Sequence, residues 1–94
     1  MVPTPRRVDL RLVIPADASY HQVAGEIAAR FAAYSGAETD AAENLARAVE
    51  MMTAQVAGEE ANGSIALMME ARTGELTVTA ECDSAREQAT IPLL

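Results

Sequence analysis

Residues 40–58, DAAENLARAVEMMTAQVAG, hold the longest and best-marked amphipathic pattern in the 94-residue chain, and the remaining segments can be read as packing around it. The pattern predicts a helix. Asp40 can cap its first turn, with Glu43 three residues on completing a capping box. Gly58 falls just past the last periodic residue, where a left-handed C-terminal cap calls for glycine. Leu45, Val49, Met52 and Val56 recur at helical spacing and form the expected core face. Glu43, Arg47, Glu50 and Ala54 form a neighbouring row, so that Glu50 projects from the helix shoulder with a methyl group one turn further on.

Working outward, the preceding segment ADASYHQVAGEIAARFAAYSG opens with Asp17 and Ser19 as candidate N-caps and closes on Gly36. Val23, Ile27, Phe31 and Tyr34 give it an apolar stripe and predict a second helix. Gly25 costs such a helix about 1 kcal/mol relative to alanine, a cost explained if two elements approach closely there. Before it, Val8, Leu10, Leu12 and Ile14 alternate with Asp9, Arg11 and Val13, as in a half-buried strand stopped by Pro15. Met1 to Arg7 reads as a tail. After the polar loop that follows Gly58, Ile65, Leu67, Met69 and Ala71 alternate with Ala66, Met68 and Glu70. Arg72 to Glu75 supply turn chemistry, and Leu76, Val78, Ala80 and Cys82 alternate with Thr77, Thr79 and Glu81, which predicts a hairpin. The last stretch, DSAREQATIPLL, offers one turn of helix at Ser84 to Gln88 and an apolar end, either frayed or docked.

The expected fold is therefore α+β. It is a two-layer α/β sandwich in the order strand, helix, helix, hairpin, with a small, mostly antiparallel three-stranded sheet and both helices on one face. One domain spans 8–83, flanked by a tail at 1–7 and a C-terminal tail at 84–94. The other sheet face would carry Val13, Ala66 and Met68 beside Thr77, Thr79 and Glu81, and an open, partly apolar face with unpaired edges points to a dimer or a partner site.

Composition narrows the function classes. Twenty alanines and only three aromatic residues leave a core of Leu, Ile, Val, Met and Ala. A net charge of −7 repels phosphate backbones and anionic lipid, and the seven arginines form no stripe, so no nucleic-acid or membrane partner is expected. A single cysteine excludes an internal disulfide, and with no apolar run long enough to span a bilayer and nothing resembling a signal peptide the cytoplasm is the expected compartment.

The order of elements, and the wording LRLVIPADASYHQVAGEIAARFAAYSGAETDAAENLARAVEMMTAQV, resemble the N-terminal half of the anti-sigma factor serine kinases, members of the histidine-kinase-like (GHKL) ATPase superfamily. In that family the second helix carries an ATP-site motif pairing a glutamate with an asparagine four residues on, usually followed by a histidine after four more. Glu50 matches the glutamate, whereas Ala54 stands at the asparagine position and Gly58 at the histidine position. The family's asparagine holds the magnesium that bridges the nucleotide phosphates, and a methyl group cannot coordinate a hard cation that wants oxygen ligands. Asp83 stands near the place of the family's adenine-holding aspartate, but no glycine follows Gly74. The resemblance, over about residues 8 to 83, implies a shortened relative without nucleotide binding and with no cofactor.

Each candidate residue also has a plainer reading. Glu50 serves as a general base, and Asp83 as a nucleotide contact, only if the chain is an ATP-binding serine kinase whose site a second chain completes; otherwise Glu50 is a solvated helix carboxylate. His21 has no second metal-type ligand at suitable spacing and reads as a surface side chain. Cys82 suits the inward face of a strand as a small hydrophobe. The expectation is a non-enzymatic regulatory module acting through protein contacts at Val13, Ala66 and Met68. It would be homodimeric, and the resemblance suggests a sigma factor or an anti-sigma antagonist as partner. A small dimeric scaffold binding an apolar ligand is the remaining alternative.

Overall fold

The pattern at 40–58 is helical, and it organises the core. The computed structural model describes residues 8–58, 63–72, 74–82 and 85–93. Strand β1 (Val8–Pro15) leads through a 3-10 turn (Ala18–Tyr20) into α1 (His21–Tyr34), then α2 (Thr39–Ala57), β2 (Ser64–Arg72), β3 (Glu75–Cys82) and β4 (Ala85–Pro92). Leu45, Val49, Met52 and Val56 are all buried, as their spacing predicts, together with Thr53. The Thr53 hydroxyl donates to the carbonyls of Val49 at 3.0 Å and Glu50 at 2.8 Å, so a buried polar side chain is satisfied within its own helix.

The start of α2 differs from the capping-box expectation. Its N-cap is Glu38, in extended conformation and without a side-chain capping bond, and Thr39 is already helical. Asp40 therefore sits inside the first turn, where its charge complements the helix dipole instead of closing a cap. Glu43 lies too far along to reach back. Gly58 ends the helix at φ 57°, ψ −134°, a positive-φ conformation that glycine adopts without steric cost, though not the left-handed helical one.

In α1 the segment is as expected but its buried face is not. Ala24, Gly25, Ala28 and Ala32 are buried, while Val23 is 41% and Tyr34 81% exposed and Ile27 and Phe31 are half-buried. The cause is the crossing with α2. A Cβ placed on Gly25 would lie 2.6 Å from the Ala46 carbonyl oxygen and 3.0 Å from Glu50 Cγ, so the helix backbones meet at a point only glycine allows. The small side chains take the contact and the large ones are turned to its flanks. The helix closes with a Schellman pattern: Ala37 N–H donates to Ala32 at 2.9 Å and Gly36 N–H to Ala33 at 3.2 Å, with Gly36 at φ 104°.

Asp17 caps the 3-10 turn before α1: its carboxylate accepts from the Ser19 N–H at 2.9 Å and the Ser19 hydroxyl at 3.0 Å. The backbone bond first, then the hydroxyl bond, hold the carboxyl below its ordinary value of 3.8, with a smaller contribution from His21. A depressed folded pKa means that the cap stabilises the fold above the ordinary aspartate value and loses its effect as pH falls through the folded value. Urea unfolding between pH 2 and 5 is expected to show a slightly flatter acid limb for Asp17→Ala than for the wild type. Superimposable pH profiles would remove the cap from the stability account.

Among the described residues the sheet has four antiparallel strands in the order β1-β2-β3-β4, one more than the expected three. The hairpin is as predicted, with Arg72 opposite Glu75 and Gly74 at φ 88° in the turn. Ile65, Leu67, Met69, Leu76, Val78 and Ala80 on its core side are each 0% exposed. The additional strand is β4, where one turn of helix and a tail were expected; Ser84 itself lies outside the described residues. So short a helix would carry the full cost of nucleation for few bonds. As a strand the segment pairs its backbone along β3, from Cys82 opposite Ala85 to Glu75 opposite Pro92, and seats Ala85, Ala89 and Ile91 against the core. Leu93 follows, its N–H donating to the Gly74 carbonyl at 3.0 Å.

Candidate functional site on the open face of the sheet

Because side chains alternate along a strand, the four-stranded register fixes what faces away from the core. Val13, Ala66, Glu81 and Arg86 form one row across the sheet; Arg11, Met68, Thr79 and Gln88 form the next; Asp9, Glu70, Thr77 and Thr90 form the third. The three residues singled out from sequence as an interaction surface are thus brought together. Val13 is directly opposite Ala66, and Met68 is the next residue on the same face of β2.

The two halves of this face differ in chemistry. On β3 and β4 the polar groups answer one another: Gln88 Nε2 donates to Thr79 Oγ1 at 3.2 Å, the hydroxyls of Thr77 and Thr90 bond at 3.2 Å, and Arg86 Nε lies 3.4 Å from Glu81 Oε1. Thr79 is only 4% exposed despite facing outward. On β1 and β2 the face is apolar at one end, with Val13 59% and Met68 37% exposed. A shallow depression of about 300 Å³ lies further along the same two strands, toward their charged end, lined by Asp9, Leu10, Arg11, Met68, Met69 and Glu70. A second, of about 220 Å³ and more polar, is lined by Glu70, Arg72, Glu75, Thr77 and Gln88. Arg72 Nη2 closes onto Glu70 Oε2 at 2.9 Å between them. These exposed pairs contribute little stability; they give the face its pattern of charge.

The part of this surface that sequence reading missed is the contribution of β4. A signal was present in the alternation of Ala85, Ala89 and Ile91 with Arg86, Gln88 and Thr90, interrupted by Glu87 on the core side of the strand.

The positions that the kinase resemblance singles out lie elsewhere. Glu50 is half-buried at the crossing with α1, its Cγ against Gly25, and Ala54 is exposed one turn further along α2. Asp83 lies outside the described residues. His21 is half-buried, with Nε2 3.2 Å from the Ala16 carbonyl, so it ties α1 to the end of β1 where a surface side chain was expected. Cys82 is buried on the core side of β3. Among the described residues no three His, Cys, Asp or Glu side chains gather as a metal site would require, and no described helix is long and apolar enough to cross a membrane. Compared with models of known protein families and with curated proteins, the chain matches neither.

Proposed function

We propose that the chain is a non-enzymatic, self-associating regulatory module that works by protein contact in the cytoplasm, related to the anti-sigma factor serine kinases but without their nucleotide chemistry. The observation that carries this reading is the open sheet face, where Val13, Ala66 and Met68 make a contiguous apolar end beside a polar half whose side chains already satisfy one another. Such a face is arranged to be covered by a protein surface rather than to hold a reacting molecule. The loss of nucleotide chemistry rests on Ala54, which presents a methyl where the kinases place a magnesium-holding amide. By the same resemblance, the partner is a sigma factor or an antagonist of that regulatory system.

Two measurements on the full chain test the proposal. Titration with Mg-ATP by calorimetry is expected to give no binding heat up to millimolar nucleotide; micromolar binding would overturn the non-enzymatic reading in favour of a kinase. A sigma factor or antagonist encoded beside this chain is expected to bind, and Met68→Asp or Val13→Asp to weaken that binding by roughly tenfold or more, since each buries a charge in an apolar contact. Binding unchanged by both substitutions would move the contact surface off this face.

A further inference from the structure

The sheet ends in two edges of unlike character. On β4 the core-side row includes Glu87, exposed and opposite Ala80, and an inward-pointing charge of this kind obstructs pairing with another strand. On β1 the core-side row is Val8, Leu10, Leu12 and Ile14, with no charge; Val8 is 38% exposed and Leu10 and Leu12 are half-buried. Among the described residues no strand pairs with the outer side of β1. One edge therefore carries a charge in its core-side row and the other a half-covered apolar row without one.

Charge then selects what fits. On the open face β1 carries Asp9 and Arg11, two residues apart and of opposite sign. In antiparallel pairing of two identical strands, residues directly opposite share a face, so the two-fold axis must pass through a residue position. With the axis at Arg11 two guanidinium groups face each other, and with the axis at Asp9 two carboxylates do. With the axis at Leu12, Arg11 faces Val13 and Asp9 faces Pro15. Only with the axis at Leu10 does Asp9 face Arg11 of the second copy, twice over by symmetry, while on the core side Leu10 faces Leu10 and Val8 faces Leu12.

We infer that a second copy of this chain pairs with the β1 edge in that register, joining two four-stranded sheets into one eight-stranded antiparallel sheet about a two-fold axis at Leu10. This deepens the self-association in the reading above and rests on it. The pairing extends both faces: the apolar undersides of β1 meet over Leu10, and the Val13–Ala66–Met68 ends of the two open faces flank one central seam. A net charge of −7 on each copy opposes association in every register alike, so the registers differ by their local pairs, of which Asp9 opposite Arg11 is the complementary one.

Sedimentation equilibrium on the full chain tests the inference. The wild type is expected to be a dimer. Arg11→Asp, which sets like charges opposite each other at two symmetric positions, is expected to raise the dissociation constant roughly tenfold or more. Asp9→Arg should do the same, and the exchange Asp9→Arg with Arg11→Asp should return it to within about threefold of wild type, because the pairs are restored with their signs reversed. Leu10→Cys should form a dimer-linking disulfide on mild oxidation, since opposed residues on antiparallel strands lie about 4.5–5.5 Å apart between Cα atoms. A wild-type dimer that ignores the single changes, or that the exchange fails to restore, overturns the β1 register and leaves self-association standing. A wild type that remains a single chain at every concentration overturns both.

Discussion

Gly25→Ala is expected to destabilise the protein by about 1–2 kcal/mol and Gly25→Leu by about 3 kcal/mol, although both replace a poor helix former inside a helix. On an exposed helix either change would gain up to about 1 kcal/mol. Here the added Cβ would sit 2.6 Å from the Ala46 carbonyl oxygen, a backbone atom of α2 that cannot turn aside, and 3.0 Å from Glu50 Cγ. The helices must separate, and separation loosens the contacts of Ala24, Ala28 and Ala32, all of which are fully buried. Tyr34→Ala is the matched control: at 81% exposure it should change stability by less than about 0.5 kcal/mol. A face centred on Val23, Ile27, Phe31 and Tyr34 would require the reverse order. Urea unfolding followed by circular dichroism decides between them, and a Gly25→Ala variant more stable than wild type would show that the helices do not meet at this point.

The largest loss from a single truncation is expected at Leu45, where alanine should cost about 2–5 kcal/mol. Leu45 is fully buried on α2 and belongs to the same core cluster as Leu67, Met69, Leu76 and Val78 from the sheet. Removing its isobutyl group loses the transfer free energy and leaves a cavity, and how far Met52 and Met69 of the same cluster relax into it sets where in that range the cost falls. For a domain of this size the total stability is about 5–10 kcal/mol, so the variant stands near its unfolding threshold. Met51→Ala, on the same helix but 65% exposed, should be nearly neutral. The comparison of the two unfolding midpoints measures which side of α2 faces the sheet. Equal midpoints would contradict a core position for Leu45 and a solvent position for Met51.

Much of the fold was legible because it depends on patterns held within one element. The spacing of Leu45, Val49, Met52 and Val56 identifies the buried side of α2, since a helix of that length has one continuous apolar stripe to place. The alternation from Ile65 to Cys82 around Gly74 identifies the hairpin and assigns each residue to a face, because a strand has only two. That parity puts Val13 on one face of β1 and Ala66 and Met68 on one face of β2, and the register of the structure then sets Val13 opposite Ala66. The same logic could not say which edges the sheet would have, because the number of strands depends on whether residues 85–92 find a partner.

The remaining features depend on distances between elements, which no periodicity records. In α1 the bulkiest stripe was the natural core face, yet the close approach at Gly25 gives the interface to alanines and leaves Tyr34 in solvent. In β4 the alternation is interrupted by Glu87, and the strand exists because the edge of β3 offers its backbone a full row of partners and the core receives Ala89 and Ile91. At the start of α2, Glu38 took the cap that Asp40 was suited to. Residue pattern alone settles the α+β class, the core face of α2 and the hairpin, because each rests on neighbours along one chain segment, whereas the meeting of Val13 with Ala66 needed the register between β1 and β2. Contact between segments chose the rotation of α1, the fourth strand and the contrast between the two sheet edges, because backbone approach and hydrogen-bond pairing are set by what lies across the gap.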